Sequence, residues 1–184
     1  MSTSIIKKLE ETPPQNIVIL FTGLAAVATI IIYILMRPTE ISSYNVFDLE
    51  FAWTVTRINT IFDAWGPNLI TQELNRTILD YGFLVAYSTF FAGLTLILTR
   101  KLLFDKIQLV GLYMVLASYV AAIFDAIENL NLILMLSSPN DFPSFAPLLA
   151  SICATLKFVI LIIIIFFWII SILWVISQRI LEKY

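Results

Sequence analysis

Six polar residues that lie within or beside long apolar stretches are the candidates for chemistry. They are Asp80, Tyr87, Asp125, Glu128, Asn129 and Lys157. A charge buried in an apolar environment is costly unless it is paired or neutralised. If three acids crowd one lysine there, at least one carboxyl should bind a proton more readily than it does in water. Such a carboxyl can carry a proton or bind a cationic or polar headgroup, with the lysine as counter-charge.

The composition indicates where these residues are buried. The 184 residues are 60% hydrophobic and 13% charged, with a mean hydropathy of +0.93. Soluble domains are closer to half apolar and a quarter charged, so lipid is the expected solvent. The chain has no histidine, which removes the commonest metal ligand and general base. Its single cysteine, Cys153, excludes an intramolecular disulfide, and a net charge of −2 gives no basic surface for nucleic acid. We therefore expect no metal, no cofactor and no nucleic-acid partner.

Four apolar stretches are long enough to cross a bilayer. They cover residues 16–36, 79–99, 107–136 and 147–177. They predict an all-α, four-transmembrane-helix bundle that forms one domain over residues 1–184. The first stretch passes through Ala26-Val27-Ala28, which resembles a signal-peptide cleavage site, but its apolar run continues to Met36. We interpret it as an uncleaved anchor.

The basic residues predict the orientation of the bundle. Seven of them fall on one side, namely Lys7, Lys8, Arg100, Lys101, Lys106, Arg179 and Lys183. The other side has Arg37, Arg57 and Arg76, dispersed among acids in a long loop over residues 37–78. Because short cytoplasmic segments are enriched in lysine and arginine, we expect both termini in the cytoplasm, and the chain in an inner (plasma) membrane.

The ionisable residues in these helices fall at one depth. Asp80, Asp125 and Lys157 lie 20, 19 and 22 residues from the basic residue that ends their helix on the cytoplasmic side. At about 1.5 Å per residue, each is roughly 30 Å from that boundary. Glu128 and Asn129 are one turn further out. Three helices thus place a charge at the outer edge of the hydrocarbon layer.

The outer loop, residues 37–78, has a pattern of its own. Residues 47–51 alternate between apolar and polar, which is typical of a short strand or extended segment. Thr54 or Thr56 can cap a following helix. The apolar residues of that amphipathic helix recur at helical spacing, and Gly66-Pro67 ends the pattern. Its apolar face can pack on the outer ends of the bundle, lie in the lipid interface, or form a lid over a cavity.

Two parts of the sequence resemble a group of small four-helix bacterial integral membrane proteins of uncharacterised function. The first part is residues 47–54, 64–66 and 79–83 with Tyr87, and the second is residues 124–130 with Lys157-Phe158. The resemblance implies a fold and a membrane setting, and it falls on the same acids and lysine. Sterol-isomerase-like bundles, which use acidic residues in a membrane cavity, share no motif with this chain.

These patterns leave two functional hypotheses. In the first, the chain is a non-enzymatic binding, assembly or accessory component, in which Lys157 pairs with Asp125 or Glu128 to fix the helix register. In the second, the carboxyls form a small-molecule or lipid site in a transporter element or an isomerase-like enzyme. We expect membrane lipid to surround the helices as the general partner of the chain. A lipid or small-molecule ligand, a protein partner and a homo-oligomer all stay open.

Overall fold

Helices account for all of the regular structure in the part of the chain that the computed structural model describes, which is residues 11–37, 42–102 and 105–181. They are α1 (Gln15–Leu35), α2 (Val46–Glu50), α3 (Val55–Thr99), α4 (Asp105–Ser137) and α5 (Ala146–Leu181). All but the short α2 are long and apolar enough to cross a membrane. This confirms an all-helical chain with four long apolar helices. Lys7, Lys8 and Lys183, on which part of the predicted orientation depends, lie outside the described residues.

Residues 47–51 were predicted to be extended, and this prediction is wrong. Val46–Glu50 is a single short helix, because Asn45 caps it. The Asn45 side chain accepts hydrogen bonds from the backbone N–H groups of Phe47 and Asp48, and the Asp48 carboxylate accepts one from the Asn45 N–H at 2.9 Å. This reciprocal arrangement is a capping box, which satisfies the free N–H groups of a first turn.

Helix α3 has two parts that meet at a kink. Its first part begins at Thr54, whose hydroxyl accepts a hydrogen bond from the Arg57 N–H at 3.2 Å, which confirms the predicted cap. Gly66 has φ 67 and ψ 176, a backbone conformation that glycine adopts without strain, and Pro67 then starts the second part. The second part continues without interruption to Thr99, so residues 68–78, predicted as loop, belong to the same helix.

The apolar face of the first part of α3 packs on one end of the bundle. Its buried residues Ile58, Ile61, Phe62 and Trp65 form a core with side chains from α4 and α5, among them Leu132, Met135, Leu136, Ala146 and Ala150. We call this the outer end of the bundle, and residues 42–54 the outer segment. Packing on the bundle, one of the three arrangements expected for the amphipathic helix, is therefore observed, whereas the lipid interface and the lid stay predictions.

At the opposite end of the bundle, which we call the inner end, close contacts at two glycines hold α1 and α4 against α3, and α5 against α4. Gly93 of α3 faces Thr22 of α1, and any side chain at position 93 would overlap the threonine. Gly111 of α4 likewise lies against Thr99 and Phe167. Arg100 extends this contact, because its guanidinium donates hydrogen bonds of 2.9 Å to Gln15 Oε1 and to the Pro13 carbonyl.

Candidate functional site

Lys157 of α5 is the centre of a buried polar cluster at the outer end of the bundle. Its Nζ atom lies 2.9 Å from Asp125 Oδ1 and 2.8 Å from Glu128 Oε2, both on α4. Lys157, Asp125 and Glu128 are only 7%, 2% and 0% exposed. The two acids are three residues apart on one helix face, so a single lysine on the neighbouring helix reaches both.

Asp80 of α3 joins the cluster from a third helix. Its Oδ2 atom accepts a hydrogen bond of 2.6 Å from Asn129 Nδ2, and Asn129 is itself buried. The Tyr87 hydroxyl, two turns along α3, is buried and close enough to interact with the Asp125 carboxylate, although its geometry is poor for a hydrogen bond. The structure therefore brings five of the six residues singled out in the sequence together at one level of the bundle, with Tyr87 about two turns along α3 from Asp80 and still within reach of Asp125. Their role in binding a ligand or a proton stays a prediction.

Glu50 is a further member of the cluster that the sequence analysis did not select. It ends α2, and it interacts electrostatically with Lys157, Asp125, Asp80 and Glu128. Burial, above all, raises the pKa of Glu50 from 4.5 to about 7; Lys157 opposes this rise, and the neighbouring acids add to it. The sequence did contain a signal for Glu50, because this acid lies in an aromatic-rich stretch, residues 47–53, just before the helix that Thr54 caps. We call Glu50, Asp80, Asp125, Glu128, Asn129 and Lys157 the polar cluster.

Two residues of α5, Ser151 and Phe158, hold the outer segment beside the polar cluster. The Ser151 hydroxyl of α5 donates a hydrogen bond of 2.7 Å to the Glu50 carbonyl and accepts one of 3.0 Å from the Trp53 N–H. The chain bends back at Trp53, whose φ is 61. The ring of Phe158 also packs against Phe47 and Phe51, with centroids 6.0 and 5.8 Å apart. The outer segment thus packs on α5 beside Lys157, and its buried Glu50 carboxyl lies within electrostatic range of the cluster.

Charge and hydrogen bonding in the polar cluster are not balanced. It contains four carboxyl groups and one ammonium group. Among the described residues, buried Glu128 Oε1 and Glu50 Oε2 have no hydrogen-bond partner. An unsatisfied buried polar atom is costly, and such atoms are rare in folded proteins. Both atoms are therefore suited to hold a proton or to accept a hydrogen bond from a bound group.

A cavity of about 480 Å³ lies beside the polar cluster, between the outer segment and the second part of α3. The wall of the cavity includes Glu73 and Arg76, joined by an ion pair of 2.9 Å between Glu73 Oε2 and Arg76 Nη1. Glu73 interacts electrostatically with Glu50 and Asp80, so the cavity borders the cluster. No set of three or more His, Cys, Asp or Glu residues in the described part of the chain is arranged to hold a metal ion.

Comparison of the chain with protein-family models, with curated proteins and with solved structures finds no match.

Proposed function

We propose that the protein is a non-enzymatic, multi-pass membrane component of the binding or assembly kind, whose polar cluster takes up and releases at least one proton. The observation that supports this is the set of four carboxyls around Lys157. One ammonium group cannot balance four carboxylates in an apolar surrounding, because each uncompensated charge loses its hydration. Binding protons is the direct way for the cluster to approach neutrality.

The contacts of Lys157 support a non-enzymatic role. A lysine acts as a nucleophile or a base only when its amine loses its proton. Two carboxylates within 3 Å of its Nζ atom hold it instead as an ammonium ion. The same ion pairs join α4 to α5, so they also fix the register of the two helices.

A second candidate function is a small-molecule or lipid site that uses the carboxyls, in a transporter element or an isomerase-like enzyme. The unpartnered Glu128 Oε1 favours it, because this buried oxygen can accept a hydrogen bond from a ligand. A bundle of four helices has little room for a transport pathway. A transporter of this kind would therefore need several copies of the chain.

Infrared spectroscopy tests proton binding by the cluster. The carbonyl stretch of a protonated carboxyl is separate from the bands of a carboxylate. We expect the full-length protein in lipid to show this band at neutral pH and to lose intensity as the pH rises. Glu50→Gln should reduce the band, whereas Asp141→Asn, in the exposed turn between α4 and α5, should not. Absence of the band over the whole pH range would leave the cluster a purely structural set of ion pairs.

Native mass spectrometry of the protein extracted from its own membrane separates the two candidate functions. A stoichiometric protein partner or a bare oligomer, unchanged by Asp125→Asn, would support the assembly role. A bound small molecule that disappears in Asp125→Asn would favour the second candidate and identify the class of its ligand.

A further inference from the structure

The cavity beside the polar cluster combines a paired acid and base with aromatic side chains. Its wall includes Tyr44, Phe47, Trp65 and Leu69 as well as the Glu73–Arg76 ion pair. A concave, mostly apolar surface with a few convergent polar groups, and a volume within about 300–1,000 Å³, is typical of small-ligand sites. We propose that this cavity binds the zwitterionic headgroup of a phospholipid, with the phosphate at Arg76 and the ammonium group at Glu73.

The two charged groups suit the two halves of such a headgroup. A guanidinium presents several N–H donors in a fork that matches phosphate oxygens. Arg76 Nη1 contacts Glu73 Oε2 at 2.9 Å, and Arg76 Nη2 makes a long contact of 3.5 Å with Gln72 Oε1. Both charged residues are largely buried in the wall. A zwitterion can therefore meet each charge with its opposite and leave neither one unpaired.

The aromatic side chains suit the ammonium half. Aromatic faces attract cations, and desolvated sites strengthen this attraction. Tyr44 already takes one cation in this way, because the guanidinium of Arg57 lies 4.6 Å from the centroid of its ring. The Trp65 Nε1–H donates a hydrogen bond of 3.0 Å to the Tyr44 carbonyl, which fixes the two residues relative to each other. The aromatic part of the wall is thus held in place by contacts within the protein.

The charge around the cavity selects a zwitterion over an anion. Arg76 is neutralised by Glu73, and Glu73 lies within electrostatic range of Glu50 and Asp80. A lipid with a net negative charge would be repelled by this excess of acid, whereas a zwitterion brings its own positive group. A lone cation would in turn be repelled by the positive charge of Arg76.

The position of the cavity matches the headgroup layer of the membrane setting proposed above. Glu73 and Arg76 are one to two turns of α3 beyond Asp80, which the sequence places at the outer edge of the hydrocarbon. Met36, at the end of α1, lines the same cavity. Lipid binding in the cavity rests on that membrane setting and not on proton uptake by the polar cluster. Lipid binding can therefore be disproved while proton uptake stands, and the reverse.

The test is lipid retention by the full-length chain. The protein would be reconstituted with equal amounts of phosphatidylethanolamine and phosphatidylglycerol, released gently, and analysed by native mass spectrometry. We expect one phosphatidylethanolamine to be retained per chain in preference to phosphatidylglycerol. Glu73→Gln combined with Arg76→Gln removes both charges without leaving a lone one, and it should lower retention by about tenfold, the loss expected for a charge-assisted hydrogen bond.

Two tryptophan variants provide an independent test with a matched control. Leu69→Trp fills the cavity and should lower retention of phosphatidylethanolamine by about tenfold, since a tenfold change needs only about 1.4 kcal/mol. Ile78→Trp adds the same side chain on an exposed face of the same helix and should leave retention unchanged. Thermal unfolding shows whether each cavity variant is folded. If either Leu69→Trp or the Glu73→Gln/Arg76→Gln variant is unfolded, lipid retention by the remaining cavity variant decides the test. Equal retention in wild type and folded cavity variants, or a preference for phosphatidylglycerol, would overturn the proposal.

Discussion

Lys157 determines the energetics of the polar cluster, because among the residues that the structure describes it is the one cation within ion-pair distance of both Asp125 and Glu128. The expectation from the sequence was a single ion pair between Lys157 and either Asp125 or Glu128. The structure has a triad instead. Neutralising Lys157 and Asp125 together therefore still leaves Glu128, which is fully buried, without a counter-charge.

This triad makes a prediction about stability. Lys157→Met leaves two buried carboxylates unpaired, and we expect it to lower the free energy of unfolding by about 3–5 kcal/mol, as for other broken buried pairs. Adding Asp125→Asn and Glu128→Gln removes the unpaired charges and should restore most of the loss. Unfolding in mixed micelles measures both variants, with Lys101→Met as a control at an exposed lysine. A triple variant as unstable as Lys157→Met would contradict the triad as the source of the effect.

Glu50 makes a prediction about pH. Its pKa is raised from 4.5 to about 7, chiefly by burial, so the folded state binds its proton more tightly than the unfolded state does. A raised carboxyl pKa means that docking of the outer segment is strongest at low pH and weakens as the pH rises through about 7. The positive charge of Lys157 lowers the pKa of Glu50, whereas the negative charges of Asp125, Asp80 and Glu73 raise it further.

Hydrogen exchange of the backbone amides in residues 46–54, corrected for intrinsic rates, measures this docking. Protection in the wild type should fall between about pH 5 and about pH 8. Glu50→Gln stays neutral, so its protection should remain high over the same range. The same fall in Glu50→Gln would mean that another group controls the docking.

At the scale of elements, the outer segment depends on one hydroxyl of α5. Ser151 bridges the Glu50 carbonyl and the Trp53 N–H on the two sides of the bend. Ser151→Ala leaves both backbone groups without this partner. The expected loss is about 1–3 kcal/mol of unfolding free energy, accompanied by faster hydrogen exchange in residues 46–54. Ser138→Ala, at an exposed serine after α4, is the control and should change neither. Unchanged exchange in Ser151→Ala would show that the aromatic contacts with Phe158 hold the segment by themselves.

The long helices and the proximity of Asp80, Asp125 and Lys157 could be predicted from the sequence for a simple physical reason. A spanning helix must be apolar over a fixed length, and its rise per residue is constant, so residue counts convert to depth. Asp80, Asp125 and Lys157 were placed at one level in this way, and the structure brings them together.

The parts that could not be predicted depend on contacts between distant residues or on a single cap. Helix α2 has five residues, and its formation depends on the capping box of Asn45 and Asp48 rather than on periodicity. Residues 68–78 are polar enough to suggest a loop, yet they continue α3 from Pro67. Glu50 reaches the cluster because the chain bends at Trp53 and docks on Ser151, which lies about one hundred residues away in the sequence. No local pattern encodes that pairing.

At the scale of the whole molecule, the orientation of the bundle can be tested directly. We expect the loop between α3 and α4 to be cytoplasmic and the loop between α4 and α5 to be external, as the distribution of basic residues predicts. Cysteines introduced as Lys101→Cys and Ser138→Cys, in a Cys153→Ser background, report the two sides. A membrane-impermeant thiol reagent should label the Ser138→Cys protein in intact cells and the Lys101→Cys protein only after permeabilisation. The opposite result would invert the bundle and place the polar cluster at the cytoplasmic surface.

The depth of the polar cluster also bears on membrane voltage. A charge that crosses the whole bilayer gains about 2.3 kcal/mol per 100 mV. In the predicted orientation, a proton that reaches Glu50 or Glu128 from outside crosses only a small part of that electric field. The occupancy of the site would then follow the acidity of the external medium and be almost independent of the resting potential. A proton that arrived from the cytoplasm would cross nearly the full potential difference, so the two faces of the membrane are electrically unequal for this site.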